Sequence, residues 1–137
     1  MLTLRSCLAA LCLGLLAIPA SAAPDITGRA QVIDGDTIDV GDTRIRLHGI
    51  DAPEQDQTCT HPTRGDWACG AAVTTALGDW LDGAQVRCQR TDTDRYGRIV
   101  AICWRGETDI GGALVSQGYA FAFERSSDRY VPAERAA

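Results

Sequence analysis

The chain has 137 residues, among them 13 arginines, no lysine and 18 aspartates and glutamates, which gives a net charge of −5. This length fits a single domain with one hydrophobic core. The acidic balance argues against a broadly basic nucleic-acid-binding surface, because such surfaces depend on basic side chains that neutralise phosphates. Any site for nucleic acid is therefore expected to be local.

The first 22 residues have the pattern of a secretory signal peptide. An arginine precedes an apolar run over residues 7–18, and the segment ends in Ala-Ser-Ala, a small-x-small cleavage pattern. The run is shorter than the ~20 apolar residues that a transmembrane helix needs. We therefore expect residues 1–22 to be removed and residues 23–137 to form one domain, secreted or periplasmic, with no membrane association after cleavage.

Three short strands are predicted at the start of this domain. Residues 29–33 form the first. The next two form an antiparallel hairpin, because apolar and polar residues alternate on either side of the Gly-Asp turn at residues 41–42. This alternation places Ile45 and Leu47 in the core and Arg46 on an accessible face of the sheet.

The middle of the chain combines a loop, a helix and two strands. Residues 55–68 are polar, contain Pro and Gly and show no periodicity, so we predict a loop. Apolar residues recur at i, i+3, i+4, i+7 and i+8 over residues 73–81, which predicts an amphipathic helix that ends at Gly83. Residues 84–90 and 99–104 are predicted strands on either side of a polar turn.

Two further helices are predicted near the end of the chain. Asp109 is a suitable N-cap for the first of them, and Gly118 would end it. Residues 119–123 are expected to be extended, and residues 130–137 to begin the last helix.

The four cysteines of the predicted domain indicate two disulfides. They include no C-x-x-C pair and have no histidine at metal-ligand spacing, which argues against zinc. If the polar turn is centred on residues 94–96, Cys88 and Cys103 lie opposite each other on adjacent strands, about 5 Å apart. We therefore predict that Cys88 pairs with Cys103 and Cys59 with Cys69. Four reduced thiols are the alternative, which an oxidising compartment disfavours.

Carboxylates gather at the turns of residues 32–54. Asp36 follows Asp-Gly, and Asp51 precedes Ala-Pro-Glu. Their oxygens, with a nearby main-chain carbonyl, are the hard ligands that calcium takes in sixes to eights. The ordinary alternative is that each aspartate only forms a local turn through its side chain.

Three sequence motifs that occur in a fixed order give a more specific signal. They are D-G-D-T at 34–37, R-I-R-L-H-G-I-D-A-P-E at 44–54 and D-R-Y-G-R at 94–98. Together they resemble the staphylococcal nuclease (thermonuclease) family. The resemblance spans most of the predicted domain. It implies an α+β fold, a five-stranded OB-fold β-barrel with two to three helices, and calcium-dependent hydrolysis of phosphodiester bonds.

The resemblance also implies a metal site. Its ligands would be Asp36, Asp51 and the main-chain carbonyl of Ala52, with Asp34 close to the metal. The family has threonine where this chain has Ala52. Because only the carbonyl binds the metal there, the site should tolerate that change.

Catalytic roles follow from the same motif positions. Glu54 matches the general base, and Arg46 and Arg98 match the arginines that bind the phosphate and stabilise charge in the transition state. Arg95 and Tyr96 match positions near a terminal or neighbouring phosphate. Each of these side chains by itself would ordinarily be a solvated surface group, and it is their joint occurrence that supports the assignment.

Substrate-contacting aromatic residues depart from the family pattern. Family members often place tyrosines after the second helix, whereas this chain has Phe123 as its ring there. His48 and His61 have no evident partners in the sequence and are expected to be structural or solvated.

The resulting hypothesis is an exported, calcium-dependent nuclease, a monomer with no protein partner, that hydrolyses DNA and RNA to products ending in 3′-phosphate. Two alternatives stay open. One is a catalytically weak nucleic-acid-binding module on the same fold, and the other is an envelope domain that binds calcium structurally. The preference between DNA and RNA also stays open.

Overall fold

The computed structural model describes residues 22–137, so residues 1–21 of the predicted signal peptide lie outside the described part of the chain. The strands are β1 (Ile26–Asp34), β2 (Thr37–Val40), β3 (Thr43–Leu47), β4 (Ile50–Asp51), β5 (Cys59–His61), β6 (Gly65–Trp67), β7 (Gln85–Thr93), β8 (Ile99–Arg105), β9 (Thr108–Asp109) and β10 (Phe121–Ala122). The helices are α1 (Cys69–Leu81), α2 (Ile110–Ser116) and α3 (Val131–Ala136).

Five strands close into a barrel. They lie in the order β3-β2-β1-β7-β8, and the barrel closes because β3 also pairs with β8 in parallel. All other pairs in the barrel are antiparallel. With the three helices, this architecture confirms the predicted α+β fold and the five-stranded OB-fold barrel.

The β2–β3 hairpin forms where the alternation predicts it. Gly41 has a φ of +58°, a conformation that favours glycine, and it turns the chain between the strands. Ile45 and Leu47 are buried on the inner face. Arg46 is on the other face, but only 20% of its side chain is exposed, so it is less accessible than the alternation suggested.

The helices cover the barrel with their apolar faces. Leu77 and Leu81 of α1 are buried, as are Ile110 and Leu114 of α2. Burying a side chain of this size contributes about 1.5–3 kcal/mol to stability. Asp109 caps α2 as predicted, since its side chain accepts a hydrogen bond from the N–H of residue 112.

The prediction of a loop at residues 55–68 was wrong in part. Within it, β5 and β6 form a short antiparallel hairpin outside the barrel. Each strand has only three residues, too few to show an apolar alternation.

Both predicted disulfides are present. Cys88 and Cys103 face each other across β7 and β8 with a Cα–Cα distance of 4.1 Å. Cys59 and Cys69 join β5 to the first residue of α1 at a Cα–Cα distance of 5.6 Å. Among the described residues, no helix has both the length and the apolar character needed to cross a membrane.

Candidate active site

The two predicted metal-binding aspartates meet at one arginine. Asp36 lies in the turn before β2, and Asp51 ends β4. Because Thr37 of β2 pairs with Arg46 of β3, the arginine lies beside this turn. Its Nη2 donates to Asp36 Oδ2 at 3.0 Å and to Asp51 Oδ1 at 3.4 Å. One guanidinium nitrogen therefore holds both carboxylates together.

Asp36 is a buried carboxylate among like charges. Burial raises its pKa to about 6, against the lowering effects of Arg46 and of the Thr37 hydroxyl, which donates to Asp36 Oδ1 at 2.9 Å. The charges of Asp34 and Asp51 raise the pKa further. Asp34 also shapes the turn, since its Oδ1 accepts the N–H of Asp36 at 3.1 Å. Such a site favours a bound cation, which relieves both the desolvation and the repulsion.

The donors in this cluster fit calcium. Within residues 22–137, no group of three or more His, Cys, Asp or Glu side chains is placed to hold a metal. The ligand set predicted from the motifs consists of the carboxylates of Asp36 and Asp51 and the main-chain carbonyl of Ala52, and water would complete the shell. Calcium accepts all three kinds of oxygen.

Gly35 lies where the turn that carries Asp36 packs against the segment that follows Asp51. A Cβ at position 35 would lie 2.7 Å from the Cβ of Ala52 and 2.9 Å from Val73 Cγ1. No other residue allows the turn that carries Asp36 to lie so close to the segment after Asp51. The carbonyl of Ala52 stays the predicted third ligand.

Glu54 is exposed, but its main chain is held firmly. Its N–H donates to Gln57 Oε1 at 3.2 Å, and its carbonyl accepts the N–H of Gln57 at 2.8 Å. In the described part of the chain, its carboxylate makes no ion pair or hydrogen bond. The carboxylate is thus left available to a ligand at a fixed point of the chain, as a general base requires.

The turn between β7 and β8 positions Arg98. The Asp94 carboxylate accepts the N–H groups of Tyr96 and Arg98, and Arg98 Nε at 2.7 Å. Desolvation raises the pKa of Asp94, but these hydrogen bonds outweigh it and hold the pKa below its usual value. Since Asp94 uses only Nε, the two Nη groups of Arg98 are not engaged by it.

An open cleft of about 660 Å³ brings the predicted phosphate-binding residues together. Arg46 and Arg98 line it with Arg95 and Tyr96. Tyr96 is 70% exposed, and the centroid of its ring lies 4.9 Å from Arg95 Cζ and 5.6 Å from Arg98 Cζ. Arg46 therefore belongs to both the cleft and the carboxylate cluster. Glu54 does not line the cleft.

Three further cleft residues received little or no weight from the sequence. Phe123 lines the cleft, as its ring at that position suggested, and Arg125 adds a cation there. His48 lies in the same cleft and hydrogen-bonds Thr91 Oγ1 through Nδ1 at 3.1 Å. Burial, and then the charge of Arg129, lowers the pKa of His48. The alternation of β3, which puts position 48 on the same face as 46, is the signal that could have identified this histidine.

Comparisons with known proteins identify the family of this chain. The family described as staphylococcal nuclease homologue matches residues 44–137. The succinoglycan biosynthesis protein ExoI of Rhizobium meliloti (strain 1021) is 37% identical over 98% of this chain and 71% of its own length. The thermonuclease of Staphylococcus intermedius is 35% identical over 73% of this chain and 61% of its own length. An uncharacterized endonuclease of Escherichia coli is 34% identical over 79% of this chain and 69% of its own length.

The family match covers well over half of the chain and includes Arg46, Asp51, Glu54 and Arg98. The part before Arg44, which contains Asp36, is reached by the similarity to ExoI, since that similarity spans nearly the whole chain. Two of the three relatives described are named as nucleases. The chain therefore belongs to the staphylococcal nuclease family, as its motifs indicated.

Proposed function

We propose that this nuclease-family hydrolase is an exported, calcium-dependent enzyme that cleaves DNA and RNA with little sequence preference and leaves 3′-phosphate ends. The observation that carries the proposal is the position of Arg46. It contacts Asp36 and Asp51 and also lines the cleft that Arg98 lines. A phosphate bound by both arginines would therefore lie beside the two carboxylates.

The arginines would bind the scissile phosphate. Arg46 has five N–H donors, and its contacts to Asp36, Asp51 and Ile50 O use Nη2 and Nη1. Its Nε–H group is not engaged in these contacts. Arg98 adds its two Nη groups, which Asp94 does not engage. Together they would neutralise the charge that develops on the phosphate oxygens in the transition state.

Glu54 would take the proton from the attacking water. Its backbone is fixed by Gln57, and its carboxylate is free to accept a hydrogen bond. Asp36, Asp51 and the Ala52 carbonyl would hold calcium, which when bound supplies positive charge next to the phosphate. Asp34 would keep the Asp36 turn in shape through its hydrogen bond to the Asp36 N–H.

Export is supported by the sequence of residues 1–22 and by the disulfides. Two disulfides in a domain of this size are typical of an oxidising compartment, the periplasm or the exterior. We propose a monomer with nucleic acid as its partner.

The test is hydrolysis of plasmid DNA and of RNA by the exported protein, in calcium and in chelator, with analysis of the fragment ends. We expect calcium-dependent cleavage of both and 3′-phosphate ends. Calcium binding without cleavage would contradict the proposal and favour a structural calcium-binding domain. Binding of nucleic acid without cleavage in calcium would favour a catalytically weak binding module.

A further inference from the structure

The β5–β6 hairpin lies outside the barrel, and its two faces carry different side chains. Its paired residues are Cys59 with Trp67, Thr60 with Asp66 and His61 with Gly65. Because side chains alternate along a strand, Trp67 and His61 share one face. Asp66 is on the opposite face, where its Oδ1 accepts the Thr60 hydroxyl at 2.7 Å. The face of Trp67 and His61 is thus free of the carboxylate of its own hairpin.

This face forms a shallow pocket with an aromatic wall. His61, Arg64, Gly65 and Trp67 line a volume of about 360 Å³. Trp67 is 49% exposed, although tryptophan usually buries most of its large apolar ring. An exposed indole in a pocket with two nitrogen-bearing side chains is a surface suited to a flat, charged ligand.

The two neighbouring side chains are donors. Among residues 22–137, Arg64 forms no ion pair. The Thr63 N–H donates to His61 Nδ1 at 3.2 Å, which leaves Nε2 as the ring nitrogen that can donate to a ligand. A ring face beside a guanidinium and an N–H donor matches a nucleotide, with its base stacked and its phosphate bound.

The hairpin is anchored at the proposed general base. Gln57, just before β5, makes two hydrogen bonds to the main chain of Glu54. Gln57 O in turn accepts the N–H of Gly70 at 3.1 Å, and the Cys59–Cys69 disulfide joins the hairpin to α1. The hairpin that carries the pocket is therefore held in a fixed relation to the main chain of Glu54 and to the start of α1.

We propose that this pocket binds a nucleotide of the single-stranded substrate that lies beyond the two nucleotides joined by the scissile bond. The base stacks on Trp67, and Arg64 and His61 Nε2–H bind its phosphate. The proposal rests on the proposed function, because the bound strand is the substrate of the nuclease. It extends the substrate-binding surface beyond the cleft of Arg46 and Arg98, and it gives the acidic protein a second local contact for nucleic acid.

Binding without turnover is the first test. Glu54→Gln protein is titrated into a fluorescein-labelled single strand of about 12 nucleotides, a length typical of one small binding fold, and anisotropy is recorded. Adding Trp67→Ala should weaken binding about 10-fold or more. Adding Arg64→Gln should also weaken binding. The dependence of log K on log salt concentration should become less steep, by roughly the contribution of one phosphate contact.

Matched controls separate stacking from general surface changes. Tyr119→Ala removes another exposed aromatic ring, and Arg135→Gln removes another exposed arginine, and both should bind as the parent does. Trp67→Phe keeps a ring and should restore most of the affinity. Equal losses in Trp67→Ala and Trp67→Phe, or no loss in either, would overturn the proposal.

A kinetic ratio distinguishes this proposal from the proposed function. For each protein with active Glu54, kcat/KM is measured on the long strand and on a dinucleotide, which has no nucleotide beyond the two that the scissile bond joins. The ratio of kcat/KM on the long strand to kcat/KM on the dinucleotide should fall about 10-fold in Trp67→Ala. If the unmodified protein cleaves neither substrate, the proposed function fails and the hairpin is judged by anisotropy. If the protein cleaves both and the ratio does not change, the hairpin proposal fails alone.

Discussion

Gly70 lies directly against the carbonyl of Glu54. A Cβ at position 70 would be 1.6 Å from Glu54 O and 2.7 Å from Glu54 C, distances that only movement of the main chain could relieve. The first turn of α1 therefore packs backbone to backbone on the segment that carries the proposed general base. Glycine at this position sets where Glu54 lies.

Gly70→Ala should consequently reduce activity more than a glycine substitution elsewhere. The methyl group must push the Glu54 segment away, which displaces the carboxylate of the proposed general base and also costs stability. We expect a loss of kcat of about 10²-fold, the general-base contribution, measured on single-stranded DNA. The control is Gly112→Ala in α2, where the nearest atom would be at 3.6 Å and stability should stay within about 1 kcal/mol of the parent. Equal kinetics in the two variants would contradict the packing argument.

Glu54→Gln should lower turnover by roughly 10²-fold or more while calcium binding largely persists. An amide has the shape of the carboxylate but cannot accept the proton from water. Steady-state kinetics measures the turnover, and calorimetric titration with calcium measures binding of the metal. Glu107→Gln, at an exposed position in the turn before β9, is the control and should keep normal turnover. Normal turnover in Glu54→Gln would remove this residue from the mechanism.

Arg46→Lys and Arg98→Lys should each lower kcat/KM by about 10²-fold, although the charge is kept. An ammonium has one nitrogen, whereas Arg46 contacts Asp36 and Asp51 through Nη2 and Ile50 O through Nη1, and has Nε–H left for a phosphate. Arg135→Lys, on the exposed side of α3, should be indistinguishable from the parent. Near-normal kinetics in both of the first two variants would place these arginines among ordinary surface groups.

Calcium should raise the thermal unfolding temperature, because a ligand that binds only the folded state stabilises it by mass action. Magnesium should do so weakly, since it requires a tighter octahedral shell. Asp36→Asn should abolish the calcium-dependent rise, and Asp79→Asn, an exposed carboxylate of α1, should keep it. A rise of equal size in Asp36→Asn would move the calcium site elsewhere.

The two disulfides should differ in their reaction with mild reductant under native conditions. Cys88 and Cys103 are 0% and 1% exposed. Cys69 is also only 1% exposed, but its partner Cys59 is half-buried at the edge of the hairpin, so a reductant can reach that bond through Cys59. We expect the Cys59–Cys69 bond to be reduced first, as followed by alkylation and peptide mapping.

The Cys59→Ser, Cys69→Ser double variant should lose about 3 kcal/mol or less, since the bond closes a loop of only ten residues. Denaturant unfolding measures that loss. Reduction of the Cys88–Cys103 bond before the Cys59–Cys69 bond would contradict this order of accessibility.

Local patterns in the sequence were sufficient wherever one element determines its own structure. The alternation around Gly41 predicted the β2–β3 hairpin, and the apolar stripe before Gly83 predicted α1. The predicted register of β7 and β8 placed Cys88 opposite Cys103, as the structure confirms. These features depend on side-chain period and turn residues, which neighbours in the chain specify.

The relationships among distant segments were decided only by the tertiary structure. The contact of Arg46 with both Asp36 and Asp51 depends on how the barrel brings strand β3, the turn before β2 and the end of β4 together, and this packing also buries most of the Arg46 side chain. The close approaches at Gly35 and Gly70 are likewise properties of packed backbones, which a motif does not reveal. The sequence by itself thus determined the family, the five barrel strands and the chemistry available. The fold decided which of those groups meet, because burial and distance arise only when separate elements pack.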